Sequence, residues 1–404
     1  MTRTLLLITN DFPPMAGGEA VWYARMCTAA VRRGPAVSDR VLVLAPKLRG
    51  DVAFDARQPY SVIRRRVPVS THPAARLWQL LLLGIAAFGI VRRERVRMVH
   101  IGHLYLGPIA LALKALRNIP YVLYLHGGEM APYMRFRLIR RVAEATVRNA
   151  HVVVMNSGFT RRHFASLGIS HPHVEIVAPP VDIERFQPGI DTAAVRRRYG
   201  IDGQKVLLTV GRLVTRKGHD TVIRVLPRLR KEVGPVRYLI AGAGPDEPRL
   251  RALARETGCD GEVVFVGPVP DEHVPGLYAA CDVFVMPNRS LDERDGVEGF
   301  GLVFLEAGAS GKPAIGGRSG GVEDAVLDGK TGILVDPLDL DGLSEALLRV
   351  LRDPGLSARL GAEGRRRAAA LASASAAALA RVWAADLGDR DTPDCRAQGP
   401  AHAR

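Results

Sequence analysis

The sequence predicts an α/β protein built from two successive parallel-sheet units. Three observations lead there: the chain is too long for one core, short apolar runs alternate with longer helical stretches, and that cycle occurs twice. At 404 residues, with 47% hydrophobic and 24% charged content, the chain exceeds the size at which single cores stop growing and is too apolar to be disordered. The runs TLLLIT, RVLVLA, RMVHIG, YVLYLHG and HVVVMNS mark strands in the first half, and KVLLTVG, RYLIAG, EVVFVG, DVFVMP and KPAIGG mark strands in the second. Uninterrupted apolar runs separated by helices are what a parallel sheet covered on both faces demands, because both sides of each strand are buried.

The stretch from Ala178 to Gly200 is polar and proline-bearing and precedes a fresh strand at Lys205, which places the boundary near Val181 to Gln187. The expected organisation is therefore a first unit over 1–182, a second over 183–371, a helix over about 372–387 that can pack back on the first unit, and a disordered tail over 388–404. The opening MTRTLLLITNDFPP has only a short apolar run before Asp11 and two prolines, so it reads as a first core strand and not as a signal peptide. Cys27, Cys259, Cys281 and Cys395 lie too far apart for a zinc site or a disulfide scaffold, which fits a reducing cytoplasm. Lys and Arg total 56 against 41 Asp and Glu, a formal charge of +15 that favours a polyanionic partner: nucleic acid, anionic lipid or a diphosphate. No nucleic-acid recognition motif or concentrated basic stripe is present, so nucleic acid is not expected.

Several segments carry candidate chemistry. Strand TLLLITN runs through DFPPMA into Gly17 and Gly18 and then a helix near Glu19, a turn that lets free N–H groups face an anion. It is not the G-x-G-x-x-G dinucleotide fingerprint, which argues against an NAD-dependent oxidoreductase. Strand YVLYLHGGE ends on His126, at the carboxyl edge where ligands collect in open α/β sheets. In the second half KVLLTVG leads to Arg212 and, after Leu-Val-Thr-Arg, to Lys217. Two cations on one strand-to-helix loop can grip a diphosphate, whereas the intervening Arg216 is expected to face solvent. The run from Glu298 to Glu306, EGFGLVFLE, holds two carboxylates around a glycine-rich start. A helix beginning near Gly301 would turn its free N–H groups toward a phosphate, with Glu298 before it and Glu306 more than a turn inside. Carboxylates suit the hydroxyls of a sugar, which donate readily to ionised acceptors.

In their order, NDFPPMAGG, HGGE, VGRLVTRKG, IAGAGP, VFVGPVP, CDVFVMPN, EGFGLVFLEAGASGKPAIGGRSGGVEDAV and TGILVDP resemble the retaining glycosyltransferases of family 4, over nearly the whole chain. The opening NDFPPMAGGEAVWYAR is also similar to bacterial phosphatidylinositol mannosyltransferases. The resemblance implies the GT-B architecture, two Rossmann-like domains facing a central cleft, and transfer of a hexose-type sugar from a UDP or GDP sugar to a glycolipid, polysaccharide precursor or small metabolite. It further implies that Gly17 and Gly18 adjoin the donor phosphates or the acceptor, and that His126 contacts the transferred sugar. Arg212 and Lys217 would bind the diphosphate, Glu298 with Phe300, Gly301 and Leu302 the sugar and phosphate, Glu306 the ribose, and Val266 and Gly267 the base through backbone. Catalytic roles then fall to His126, Arg212, Lys217 and Glu298, with no cofactor beyond the nucleotide sugar and no metal, since protein cations and a helix end take the metal's place. Asp292, Glu293 and Asp295 in the loop Asn288 to Val297 are the one acidic run that could suggest a metal. A catalytically silent or cyclitol-coupling relative would keep the same donor residues.

Segment Ala75 to Val91 is apolar nearly all round, and its uninterrupted stretch Trp78 to Val91 is shorter than the roughly 20 residues a spanning helix needs. Arg64, Arg65 and Arg66 precede it and Arg92, Arg93, Arg95 and Arg97 follow. Two readings stay open: a core helix wedged between domains, or an interfacial helix on anionic lipid at the inner face of the membrane.

Overall fold

The computed structural model describes residues 4–15, 17–34, 38–68, 72–128, 136–290 and 296–386. The first half carries seven strands, β1 (Thr4–Ile8), β2 (Arg40–Pro46), β3 (Ser61–Arg65), β4 (Val96–Ile101), β5 (Tyr121–Leu125), β6 (Val152–Met155) and β7 (Val174–Ile176), in the order β3-β2-β1-β4-β5-β6-β7. The second half carries six, β8 (Lys205–Val210), β9 (Val236–Ala241), β10 (Val263–Gly267), β11 (Val283–Met286), β12 (Ala314–Gly317) and β13 (Gly332–Val335), in the order β10-β9-β8-β11-β12-β13. Every pairing is parallel. Each sheet is thus doubly wound, and each reverses its strand order once, between β1 and β4 and between β8 and β11. Those reversals open a crevice at the carboxyl ends of the strands, where such sheets take ligands.

Alternate residues of β1 explain why its run has no polar break. Leu6 and Ile8 face one core with helices Pro73–Arg93, Gly107–Arg117 and Arg137–Asn149, while Leu5 and Leu7 face another with Trp22, Tyr23 and Met26 of helix Gly18–Arg33. The helix over Ala75 to Val91 is longer than its apolar stretch suggested: it runs Pro73–Arg93, 21 residues, long and apolar enough to cross a bilayer. One side nevertheless packs on the sheet through Gln79, Leu83, Ala86, Ala87 and Ile90, and the other leaves Leu77, Trp78, Leu81 and Ile85 at least half exposed. It is two-sided, not uniformly apolar in its surroundings.

The last helix, Pro354–Asp386, has 33 residues, roughly 50 Å of helix. Leu360 and Ala368 fill cores of the second half, and Ala378, Leu379, Val382 and Trp383 fill the first half's core beside Trp22. Ser375 donates to the Ala178 carbonyl at 2.9 Å and Arg381 pairs with Glu175 at 2.8 Å, fixing the crossing.

Candidate active site

The second half's reversal point is cationic. Lys217 closes a 3-10 turn, Thr215–Lys217, between β8 and helix His219–Val233. Its ammonium lies 2.5 Å from Glu298 Oε2, and the Arg216 guanidinium reaches the same oxygen at 3.0 Å. Arg216 therefore does not face solvent as its position in the loop suggested; the carboxylate arriving after β11 draws it inward. Burial pushes the Glu298 carboxyl up, but Lys217 and Arg216 outweigh it and hold the group below its usual range. Burial likewise lowers Lys217, against the attraction of Glu298 and with the repulsion of Arg216. Arg212 is exposed and makes no ion pair or side-chain hydrogen bond among the described residues. The result is one free guanidinium beside a clamped cation pair, two positive charges against one negative among Arg216, Lys217 and Glu298.

Helix Leu302–Ala309 begins at this point. Gly301 caps it at φ 91°, a left-handed conformation that favours glycine, and among the described residues no side chain caps its first turn. Phe300 anchors the entry in the core with Phe304 and Leu305. Glu306, one turn in, is buried; Tyr278 donates to it at 3.1 Å and Arg25, from the other half, lies 3.6 Å away while also donating to the Pro180 carbonyl at 2.7 Å. Burial raises the Glu306 carboxyl, only partly opposed by Arg25 and Tyr278. Val266 and Gly267 end β10, two strands outward from β8, with the Gly267 carbonyl accepting from Gly242 N–H at 2.9 Å.

The first half's reversal point is built from hydroxyl, imidazole and carboxylate. Asp11, just past β1, hydrogen-bonds His103, just past β4, and Glu19 lies 3.4 Å from the same imidazole nitrogen. Burial would raise the Asp11 carboxyl, but the hydrogen bond and charge of His103, with Arg212 adding from the other half, hold it below its usual range. His126 is buried against Trp22 and Tyr23, with ring centroids 4.6 and 5.5 Å away. The Tyr23 hydroxyl hydrogen-bonds the Gly102 carbonyl and lies 2.5 Å from His126 Nε2. Burial, aided by His103, keeps His126 far below the ordinary histidine range, so the ring is neutral. Gly17 and Gly18 open helix Gly18–Arg33 beside this pocket, with open space where a Cβ would stand. Helix Pro73–Arg93 reaches it too, Gln79 donating to Asn10 and accepting from Tyr105 at 3.1 Å, with the Arg76 guanidinium 5.7 Å over the Tyr105 ring.

The two pockets meet. A Cβ on Gly299 would fall 2.0 Å from the His126 carbonyl oxygen, so only glycine lets the Glu298 loop sit on the end of β5. Asn156 donates to that same carbonyl at 3.1 Å, and Phe159 N–H bonds Asp324 across the seam at 2.7 Å. His126 thus adjoins the loop carrying Glu298, whose carboxylate Lys217 holds from the loop after β8; Arg212 acts on Asp11 through its charge, and Glu306 stands apart at the Arg25 end. Sequence reasoning missed Glu19, Tyr23, Arg25, His103 and Tyr278 and gave Asp11 no role. For Asp11 and His103 the discoverable signal was a polar residue within three positions of the ends of β1 and β4. Asp11, Glu19 and His103 also bring ligand atoms within 4.8 Å of one another, a geometry a divalent cation could use, although here they bond to one another. Asp292, Glu293 and Asp295 lie outside the described residues.

Residues 16–185 match the family described as Glycosyltransferase Family 4, and residues 191–367 match Glycosyl transferases group 1. The chain is 36% identical to a GDP-mannose-dependent alpha-(1-6)-phosphatidylinositol monomannoside mannosyltransferase of Mycolicibacterium smegmatis, covering 89% of this chain and 92% of that one. It is 33% identical to a GDP-mannose-dependent monoacylated alpha-(1-6)-phosphatidylinositol monomannoside mannosyltransferase of Corynebacterium glutamicum, over 90% and 93% of the two chains. Among solved structures, sucrose-phosphate synthase from Thermosynechococcus elongatus superposes with a TM-score of 0.79 at 23% identity, over 95% of this chain and 98% of that one, a likeness of fold. Two doubly wound sheets, with a cationic reversal point in one and a carboxylate- and imidazole-lined one in the other, and similarity to mannosyltransferases over about nine-tenths of the chain identify this chain as a GT-B glycosyltransferase of family 4.

Proposed function

We propose that the chain transfers mannose from GDP-mannose to a hydroxyl of a phosphatidylinositol mannoside-type lipid, with retention of configuration, without a resident metal, at the cytoplasmic face of a membrane. The similarity, over about nine-tenths of the chain, to relatives named for that donor and acceptor carries the reading. The diphosphate would lie against Arg212, Lys217 and the start of helix Leu302–Ala309, where charge growing on the leaving oxygen meets fixed cations and free N–H groups. Ion-paired and held ionised, Glu298 balances those cations and accepts from sugar hydroxyls. Glu306 would take the ribose in place of Arg25, and the backbone at Val266 and Gly267 the base.

On the acceptor side, Asp11, His103 and Glu19 suit a polyol ring, and Gly17, Gly18 and neutral His126 border the anomeric centre. The bond from the anomeric carbon to phosphate oxygen breaks as the acceptor oxygen bonds the same face, and the acceptor proton passes to the departing diphosphate. The chemistry asks only for cations and N–H groups there, so chelator treatment should leave transfer intact. The exposed side of helix Pro73–Arg93, one residue from Gln79 in the pocket wall, would rest on the bilayer.

The test is transfer of labelled mannose from GDP-mannose into phosphatidylinositol monomannoside, with UDP-glucose and UDP-galactose in parallel and the product's anomeric configuration read by NMR. An α-linked dimannoside formed from GDP-mannose alone, undiminished by chelator, is expected; transfer only from a UDP sugar would overturn the donor assignment.

A further inference from the structure

The first half carries a second exposed patch of apolar and basic side chains. Phe136 and the first residues of helix Arg137–Asn149 form an exposed hexapeptide, FRLIRR, in which Phe136 is 60%, Leu138 73% and Ile139 42% exposed. Three large apolar side chains in six exposed positions are more than scattered surface hydrophobics explain. Arg137, Arg140 and Arg141 surround them, with no acidic residue in the first turn. Glu144, the nearest acid along the helix, is held by Arg140 at 2.7 Å, which leaves Arg137 and Arg141 for a partner. Cations at the start of a helix oppose its dipole, so this arrangement costs local stability and calls for an external anion.

The topology says where this patch lies. Helices Pro73–Arg93, Gly107–Arg117 and Arg137–Asn149 share one core on one face of the first sheet, and each runs back from its carboxyl edge. Neighbouring helices stand 8–10 Å apart, so the outer two are separated by roughly 16–20 Å across the middle one. Their starts, bearing Leu77, Trp78 and Leu81 on one side and Phe136, Leu138 and Ile139 on the other, therefore flank the start of helix Gly107–Arg117, four residues beyond His103. We infer that Phe136, Leu138, Ile139, Arg137 and Arg141 form a second contact with an anionic bilayer, so that the two feet straddle the acceptor pocket and it opens onto lipid. This rests on the membrane reading above, and its occupant is a membrane surface, by complementarity of charge and by continuity with the exposed side of helix Pro73–Arg93.

Sedimentation of the full chain with phosphatidylcholine vesicles containing or lacking 30% phosphatidylinositol tests it. Wild type should pellet with the anionic vesicles only, and added salt should release it. Leu138→Ser plus Ile139→Ser, and separately Arg137→Gln plus Arg141→Gln, should each weaken that binding roughly tenfold or more with unchanged Tm. Trp78→Ser plus Leu81→Ser should do the same from the other foot. If the Trp78 and Leu81 variant loses binding while both variants of helix Arg137–Asn149 bind like wild type, the second foot is wrong and the membrane reading stands. If wild type fails to pellet at all, both fall. As a direct readout, Leu138→Cys carrying an environment-sensitive dye, in a Cys395→Ser background that leaves only buried cysteines, should shift to the blue on anionic vesicles; an unshifted spectrum with bound protein would overturn the inference.

Discussion

The two halves share one winding, yet their reversal points differ in kind. At the crevice between β8 and β11 Arg216 and Lys217 hold a single carboxylate, with Arg212 unpaired among the described residues beside them; at that between β1 and β4 gather Asp11, Glu19, His103, Tyr23 and a neutral His126. On the proposed function, the same backbone crevice serves as an anion grip in one half and a hydroxyl grip in the other, through the side chains gathered at the carboxyl ends of the strands. A fold alone assigns neither ligand; charge at the crevice does.

If that division is right, it breaks first on the cationic side. Lys217→Ala and Arg212→Ala should each lower kcat on the order of 10²–10³-fold while the far-ultraviolet dichroism stays unchanged, because both meet charge that grows as the bond breaks. Near-normal turnover in either variant would remove the diphosphate from that crevice. Gly299→Ala tests the seam. Its methyl cannot clear the His126 carbonyl, so transfer should fall roughly 10²-fold through misplacement, while the thermal shift given by GDP, proposed to bind the second half, persists. Equal loss of GDP binding would mean that the loop, not the meeting of halves, was damaged. Asp11→Asn sharpens the other side: the acceptor KM should rise about tenfold with the donor KM unmoved, the loss of a charge-assisted hydrogen bond.

The smallest effect concerns pH. His100 is buried, bonded to the Tyr124 hydroxyl at 2.8 Å, and burial pushes its pKa down to about 3. With the folded value below the unfolded one, its contribution to stability is complete above about pH 6.5 and is lost as pH falls toward 3. Chemical denaturation at pH 7 and pH 5 should show wild type losing about 2 kcal/mol more than His100→Gln over that interval. An identical pH slope in the two proteins would show that His100 charges without penalty.

What was legible in the sequence follows from what each element buries. The inner strands read correctly because both faces are covered. The three strands not anticipated, Ser61–Arg65, Val174–Ile176 and Gly332–Val335, are all edge strands, short or polar, with one side spared full burial. The residues proposed to bind the donor could be picked out from sequence because they are local: Arg212 and Lys217 share one loop, and Glu298, Gly301 and Glu306 one turn and helix. Those proposed for the acceptor could not, since Asp11 bonds His103 across 92 positions and Tyr23 bonds His126 across 103. Arg216 was misjudged because its partner, Glu298, arrives 82 positions later.

The crossing of helix Pro354–Asp386 bears on how the chain is made. Arg33 reaches the Ala376 carbonyl across 343 positions, and Leu379, Val382 and Trp383 seal the core beside Leu5 and Trp22. On the ribosome the first half therefore emerges with one core face open, and that face cannot close until nearly the whole polypeptide has been synthesised. A nascent first half has to wait with apolar surface uncovered, the state in which chaperones engage a chain. The half that is translated first is completed last.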